Sequence, residues 1–232
     1  MCSLIRTFAL VMIKSFQAQL VKIILFGGVV VMLLCGCSQP RRSHVVVGDE
    51  DFRSGDLVLR CGYGTESRVV TAASGSAYSH IGILCRDCLQ RGSSTAQWMV
   101  IHAVPDEAEE GEAECVKCEP LSSFFASDRA SCGAWMRVDC PDSIALAAAR
   151  YARRKVEAKV EFDRDYLLSD TTQLYCTELV YQAYLHQGLD ITSGHRHQVP
   201  TLFSQDGECV FPNDIEESNQ ILFLQPFKTQ QQ

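Results

Sequence analysis

The sequence predicts a domain that mixes β-strands with α-helices and follows an N-terminal export signal. Short apolar runs bounded by glycine, proline or polar clusters indicate strands, and two longer stretches of helix-forming residues indicate helices. The N-terminus is first basic and then apolar, which is the order of a secretory signal. Removal of residues 1–36 leaves 196 residues, a length that suits one domain with its own core.

The export signal is predicted from residues 1–36, which hold three basic residues and no acidic residue. The apolar run at 23–34 is too short for a comfortable membrane span. The segment Leu34-Cys35-Gly36-Cys37 resembles a bacterial lipobox, so we expect Cys37 to become the lipidated first residue of the mature protein. An uncleaved membrane anchor is the alternative interpretation.

The rest of the chain is therefore expected in the bacterial cell envelope, as a membrane-anchored lipoprotein facing the periplasm or the exterior. Residues 37–51 are predicted to be a polar tether, residues 52–225 the folded domain and residues 226–232 a polar tail. Loss of the three basic residues takes the net charge from −7 to −10. The membrane is thus an expected partner through the lipid anchor, and nucleic acid is not, because phosphate binding needs a basic surface.

Six short runs are predicted to be strands: 57–60, 79–84, 98–104, 113–118, 134–138 and 221–224. Pro105 ends the third run because proline cannot donate a hydrogen bond to a sheet ladder. Glycine and small polar residues predict a loop over 62–78, and a hairpin loop is predicted over 85–97.

Two helices are predicted in the second half of the chain, at 142–160 and from Cys176 to Gly188, after a helical turn at 121–125. Alanine and arginine favour the first helix. Asp170, Thr171 and Thr172 are the candidate N-caps for the second. The segment 191–208 is predicted to be irregular.

Cys176 is the strongest indication of function, because it stands at the predicted start of a helix. His80 lies well upstream in the strand-like run Tyr78-Ser79-His80-Ile81-Gly82-Ile83. A cysteine and a histidine together supply a nucleophilic thiolate and its base. Helix N-termini favour the thiolate through unpaired N–H groups and the helix dipole.

Several motifs of the chain, taken in order, resemble those of the YiiX/YaeF-like permuted papain-like amidases of the NlpC-like cysteine hydrolase superfamily. The resemblance covers residues 51–224, and a histidine that precedes the cysteine is its mark of permutation. The matching pieces are Gly55-Asp56-Leu57-Val58, Ser79-His80-Ile81-Gly82-Ile83, Val100-Ile101-His102-Ala103, Phe162-Asp163, Tyr175-Cys176-Thr177-Glu178-Leu179-Val180 and Phe211-Pro212-Asn213-Asp214. The resemblance implies an α+β, circularly permuted papain-like fold with a small antiparallel sheet packed against helices.

The resemblance also implies an acyl-transfer site in which Cys176 attacks a carbonyl and His80 moves the proton. It points to His102 as the residue that orients His80, on a strand expected to pair directly with the His80 strand. The family often has a glutamate at this position, so His102 is a departure. Tyr175, Ser79 and Tyr166 are candidate pocket residues, and no cofactor is expected.

The mature chain keeps nine cysteines besides Cys37, and eight remain when Cys176 is set aside as a free nucleophile. An even number in an exported protein favours disulfides, whose pairing the sequence leaves open. Two CxxC pairs, Cys85 with Cys88 and Cys115 with Cys118, also match the ligand count of a structural zinc site. Zinc is the weaker of these two interpretations.

The expected function is that of a lipid-anchored cysteine amidase or peptidase, which cleaves a cell-wall peptide or a related acyl-amide through a thioester. An acyltransferase or thioesterase that uses the same site is one alternative. A lipid-anchored binding module without catalysis, stapled by zinc or disulfides, is the other.

Overall fold

The computed structural model describes residues 42–48, 50–86, 97–105, 113–170, 172–199 and 207–231. The elements, in chain order, are β1 (Ser43–Val46), β2 (Leu57–Cys61), α1 (Thr65–Ser74), β3 (His80–Cys85), β4 (Met99–His102), β5 (Lys117–Pro120), α2 (Leu121–Phe124), β6 (Cys132–Val138), α3 (Asp142–Glu157), α4 (Cys176–Leu185), β7 (His197–Gln198), β8 (Glu208–Cys209), α5 (Pro212–Glu216), β9 (Ile221–Pro226) and β10 (Lys228–Gln231). Among these residues no helix has the length and apolar character needed to cross a membrane. The predicted signal and Cys37 lie outside the described residues.

A six-stranded antiparallel sheet in the order β5-β4-β3-β2-β6-β9 forms the centre of the fold. Successive side chains of a strand point to opposite faces. One face packs against α3 and α4, and the other packs against α2 and the aromatic rings around it. Because both faces are covered, every residue of β3 is buried. The predicted α+β class is confirmed.

The two predicted helices are present on the first face of the sheet. Helix α3 packs through small side chains, Ala145, Ala148, Ala149 and Ala152, which allow close approach to the sheet and to α4. Helix α4 is buried at eight of its ten positions. Its N-cap is Tyr175, so the expected caps at Asp170, Thr171 or Thr172 are wrong for the described Asp170 and Thr172, and Thr171 lies outside the described residues.

Helix α1 stands where the sequence predicts a loop. The glycines that suggest a loop lie at the two ends of this helix: Gly64 is the N-cap, and Gly75 is the C-cap, with a φ of 73° and its N–H bonded to the Thr71 carbonyl oxygen. A left-handed C-cap favours glycine because a Cβ is strained there. The glycines therefore terminate a helix here and do not break one.

Two segments predicted to be polar and unstructured pair with each other as strands. Ser43–Val46, within the predicted tether, pairs with Lys228–Gln231, within the predicted tail. The ladder is made by backbone groups, which side-chain polarity does not reveal. Val45 and the adjoining Phe227 are buried in the second core. The segment predicted to be irregular also contains a strand, since β7 pairs with β8.

Candidate active site

Cys176 and His80 line the same cavity, of about 460 Å³. Cys176 is the first residue of α4, and His80 is the first residue of β3, so each side chain stands at the end of an element. The sulfur of Cys176 lies 3.7 Å from Thr177 Oγ1, and the residue as a whole is 8 % exposed to solvent. The structure therefore brings together the two residues that the sequence singles out.

A chain of hydrogen bonds runs from His80 through His102 to a carboxylate. Nε2 of His80 lies 2.8 Å from Nδ1 of His102, and Nε2 of His102 lies 3.0 Å from Oε1 of Glu119. Glu119 also accepts a hydrogen bond from Arg129 at 2.8 Å, and the ammonium of Lys117 is 3.8 Å away. The expected contact between the two imidazole rings is confirmed.

The register of the sheet differs from the expected direct pairing of the two histidines. Ile83 pairs with Ile101, which places His102 opposite Gly82 and diagonal to His80. A Cβ at Gly82 would lie only 2.4 Å from Val100 Cγ1 and 3.2 Å from His102 Cβ. The missing side chain at Gly82 therefore leaves room for the His102 ring to reach His80.

Glu119 is the residue of the site that the sequence reasoning missed. On β5 it pairs with Val100, diagonal to His102, so its carboxyl group reaches the imidazole of the neighbouring strand. Where the resemblance leads us to expect a glutamate, this chain has His102, and the carboxylate is supplied by Glu119 on the next strand of the sheet. The sequence signal that could have identified Glu119 is its position directly after the predicted strand at 113–118.

The pKa shifts of Glu119 and His102 indicate which of the two groups carries a proton. Burial alone would raise the pKa of Glu119, but the hydrogen bond from His102 and the charges of Lys117 and Arg129 outweigh it and lower the pKa to about 2. Burial lowers the pKa of His102 to about 4, although the Glu119 hydrogen bond opposes the shift. At neutral pH the pair is thus a carboxylate and a neutral imidazole.

The tautomers follow from these charge states. The Glu119 carboxylate only accepts, so Nε2 of His102 carries the proton and Nδ1 of His102 is an acceptor. Nε2 of His80 must then be the donor to it, which leaves Nδ1 of His80 with a free lone pair. The relay therefore presents His80 as a base whose unprotonated nitrogen is available to the thiol.

The rings of His80 and His102 are buried against the aromatic ring of Phe124. The ring of Phe124 stacks on His80 with centroids 5.7 Å apart and meets His102 edge-on at 5.1 Å. Arg60 donates to the Phe124 carbonyl oxygen at 2.8 Å and lies over its ring. Burial, followed by the positive charge of Arg60, lowers the pKa of His80 well below its usual value, so its imidazole is neutral.

The thiol of Cys176 is also neutral in this structure. Burial raises its pKa, and the hydrogen bonds from Thr177 and from the backbone of Ile81 oppose that shift without reversing it. This direction is opposite to the lowered pKa that a helix N-terminus predicts, because the loss of hydration outweighs the helix dipole. Both groups are therefore uncharged, Cys176 as a thiol and His80 as an imidazole, on the lining of one cavity.

The three candidate pocket residues all lie near Cys176. Ser79 and Tyr166 line the cavity of the thiol and a narrower cavity that adjoins it, and Tyr175 lines only the narrower one. Tyr166 has a φ of 57° and donates its hydroxyl hydrogen to Glu66 of α1. That contact joins the loop after α3 to the helix that the sequence did not predict, so α1 forms a wall of the site.

The cysteines do not form the zinc site considered from the sequence. Cys85 is in a disulfide, Cys115 and Cys118 are free thiols, and Cys88 lies outside the described residues. In the part of the chain that the structure describes, no three His, Cys, Asp or Glu side chains are grouped to hold a metal ion. Besides Cys176, six cysteines of the described residues are free thiols in this structure: Cys61, Cys115, Cys118, Cys132, Cys140 and Cys209. The even number of cysteines favoured disulfides, and among these six none is formed.

A thiol at a helix start, a histidine earlier in the chain at a strand start and an antiparallel sheet between helices define the permuted papain-like class. A sequence profile described as the permuted papain-like amidase enzyme, YaeF/YiiX, C92 family matches residues 51–225. The chain belongs to this family of cysteine-type amidases.

The fold is similar to that of a bacterial protein whose structure is solved. That structure is titled as the crystal structure of the metalloprotein yiiX from Escherichia coli O157:H7 and has 19 % sequence identity with a TM-score of 0.57. The alignment covers 78 % of this chain and 98 % of that one. No curated protein matches the chain.

Proposed function

We propose that this protein is an exported cysteine amidase that cleaves an acyl-amide, such as a cell-wall peptide, through a thioester on Cys176. The observation that carries the proposal is the hydrogen-bonded series His80, His102 and Glu119, which ends in the cavity that holds the thiol. It supplies the base and the orienting groups that a weak nucleophile needs.

The reaction begins with transfer of the thiol proton from Cys176 to Nδ1 of His80. The thiolate attacks the carbonyl carbon, and the N–H of Cys176, which has no partner within its helix, donates to the oxyanion. His80 then gives its proton to the amine as the C–N bond breaks, leaving a thioester. Water attacks the thioester with His80 as base, which releases the acid and restores the thiol.

Glu119 and His102 act through His80. The His102 ring holds the Nε2–H of His80, and the carboxylate fixes the tautomer of His102 and stabilises the imidazolium formed in each half of the reaction. Removal of either group leaves the nucleophile in place but weakens the base.

The test is acetylation by p-nitrophenyl acetate, followed by release of p-nitrophenolate and by mass spectrometry of the peptides. We expect one acetyl group on Cys176, none on this peptide in Cys176→Ser, and unchanged labelling in Cys140→Ser, a half-buried free thiol elsewhere. A folded protein that does not acetylate Cys176 would overturn the proposal in favour of a binding module. Acetyl transfer to an added amine in preference to water would identify an acyltransferase.

The membrane attachment is a separate part of the proposal and rests on the lipobox-like segment that ends at Cys37. We expect the full chain, expressed in a bacterium, to be found in the membrane fraction and to incorporate labelled palmitate. The variant Cys37→Ala should lose the label. A label that persists in this variant would contradict attachment at Cys37.

A further inference from the structure

A narrow apolar slot adjoins the larger cavity at Cys176, and Val70, Ser79 and Tyr166 line both spaces. Its volume is about 20 Å³, and six residues line it and not the larger cavity: Tyr175, Thr177, Cys209, Val210, Phe211 and Pro212. A single water needs about 10–15 Å³ on this measure. The slot therefore has room for a small group only.

The exposed lining of the slot is almost wholly apolar. The hydroxyl of Tyr175 accepts from the N–H of Val210 at 2.8 Å, and Ser79 Oγ accepts from the N–H of Gly62 at 3.2 Å. Thr177 Oγ1 lies beside the sulfur of Cys176. A charged group in the slot would exchange its hydration for a mainly apolar surface, which is costly.

The position of His80 decides which half of the substrate enters the slot. His80 lines the larger cavity and not the slot. Since His80 must reach the nitrogen of the leaving amine to protonate it, the amine half lies in the larger cavity. The acyl half stays bonded to the sulfur, and the slot, which Cys176 lines and His80 does not, is the space left for it.

The larger cavity is suited to a polar leaving group. Charged side chains from several elements line it, namely Arg60, Glu66, Asp128 and Arg129. Both signs are present, so an amine half that carries hydrogen-bonding or charged groups finds counterparts there. The slot and the larger cavity, which meet at the thiol, thus differ in size and polarity.

We infer that the substrate is an amide whose acyl half carries a small aliphatic group, bound in the slot, and whose amine half is polar and larger. This inference rests on the proposed function, because it assigns the two sides of the Cys176 site. We assign Phe211 as the specificity-determining residue, since it is the largest of the side chains that line the slot alone and are only half-buried.

The test uses p-nitrophenyl esters, which share one leaving group while the acyl group varies from acetyl to butyryl, octanoyl and succinyl. In each case the S–C bond to Cys176 forms, the ester C–O bond breaks, p-nitrophenolate leaves and His80 takes the thiol proton. We expect the acylation rate of Cys176 to rise about fourfold per methylene that the slot accepts. It should fall again for octanoyl, and succinyl should be the poorest substrate.

Two variants of Phe211 separate a slot from a general preference for apolar esters. Phe211→Ala should move the optimum to a longer acyl chain, and Phe211→Trp should move it to acetyl, while Leu222→Ala on the exposed edge of β9 changes neither. Two results would overturn the assignment of the slot and leave the proposed function standing. One is a rate of Cys176 acylation that does not depend on the length of the acyl chain, and the other is a dependence on chain length that stays the same in the Phe211 variants. Failure of every ester to label Cys176 would overturn both.

A second, independent observation concerns two cysteines in neighbouring strands. Cys61 of β2 pairs directly with Cys132 of β6, so their thiols are neighbours. Directly opposite residues of antiparallel strands have Cα atoms about 4.5–5.5 Å apart, which falls within the range that a disulfide spans. Both side chains are only partly buried, so a reagent can reach them.

We propose that Cys61 and Cys132 form a reversible disulfide. The Cys61 thiolate attacks a low-molecular-weight disulfide, which releases one thiol, and Cys132 then displaces the second thiol as the Cys61–Cys132 bond forms. The oxidant gains the two electrons that the protein thiols lose. The hydrogen bond from Cys132 lowers the pKa of Cys61 to about 6, which favours Cys61 as the attacking sulfur.

Peptide mapping without reductant, after treatment with oxidised glutathione, tests this disulfide without reference to activity. We expect a Cys61–Cys132 cross-link that dithiothreitol removes. Cys132→Ser should instead hold glutathione on Cys61, and Cys140→Ser should cross-link as the natural chain does. Both thiols remaining free, or glutathione on both without a cross-link, would overturn the proposal.

Discussion

Glu119→Gln is the change that tests the relay most directly. The amide keeps the size of the side chain but removes the charge that stabilises an imidazolium at His80. A rotated amide also donates to Nε2 of His102, which moves the His102 proton to Nδ1. His80 must then carry its own proton on Nδ1, so its basic nitrogen is blocked.

The size of the effect follows from the spacing of the relay. Hydrogen bonds of 2.8 Å and 3.0 Å separate His80 from His102 and His102 from Glu119. At roughly 8 Å from the His80 ring and an effective dielectric constant of about 20, a carboxylate stabilises the imidazolium by about 2 kcal/mol. The population of the thiolate and imidazolium pair should therefore fall about 30-fold at neutral pH.

Alkylation of Cys176 by iodoacetamide measures that population and needs no substrate. We expect the rate in Glu119→Gln to fall about 30-fold near pH 7 and to approach that of the natural chain at high pH, where the thiol ionises without His80. Glu157→Gln, an exposed glutamate on α3, is the matched control. Equal rates near pH 7 in a folded Glu119→Gln protein would refute the relay.

The remaining predictions concern the sheet and a second buried carboxyl group. Gly82→Ala should slow the alkylation of Cys176 and cost about 1–3 kcal/mol of stability, because the new Cβ would meet Val100 and displace His102. Gly48→Ala is the control. An unchanged alkylation rate in Gly82→Ala would contradict the role given to Gly82. Glu178 is fully buried without a hydrogen-bond partner for either oxygen among the described residues, and burial, with the charge of Asp163, raises its pKa to about 9 from 4.5. The folded state holds this proton, whereas the unfolded state releases it above pH 4.5. The stability of the natural chain relative to Glu178→Gln should therefore fall by up to about 1.4 kcal/mol per pH unit until pH reaches about 9. Denaturant unfolding of both proteins across that pH range measures this difference, and a difference independent of pH would show that Glu178 is ionised in the folded state.

The sequence predicted those elements whose cause is local. The helix at Cys176 and the strand at His80 follow from apolar runs and from the residues at their ends, which act on near neighbours along the chain. The order of the motifs was enough to indicate the permuted papain-like family. The antiparallel sheet and the helices α3 and α4 are present where these patterns indicate them.

Helix α1 and the pairing of β1 with β10 show where local patterns fail. Glycines at the ends of α1 have the same composition as a loop, and only the backbone conformation at Gly75 distinguishes a cap from a break. The partners of β1 and β10 lie at opposite ends of the chain and bond through the backbone. Composition carries no information about such a pair.

What the sequence by itself determined is the choice of Cys176 and His80 as candidate nucleophile and base, together with the elements that carry them. Only the tertiary structure decided how the base is oriented, because strand register sets which side chains meet and a shift of one residue would turn each to the other face. That register leaves Gly82 opposite His102 and brings Glu119 within reach of it. Burial, which is a property of the whole fold, then made Cys176 a neutral thiol where its place at a helix start predicted a thiolate.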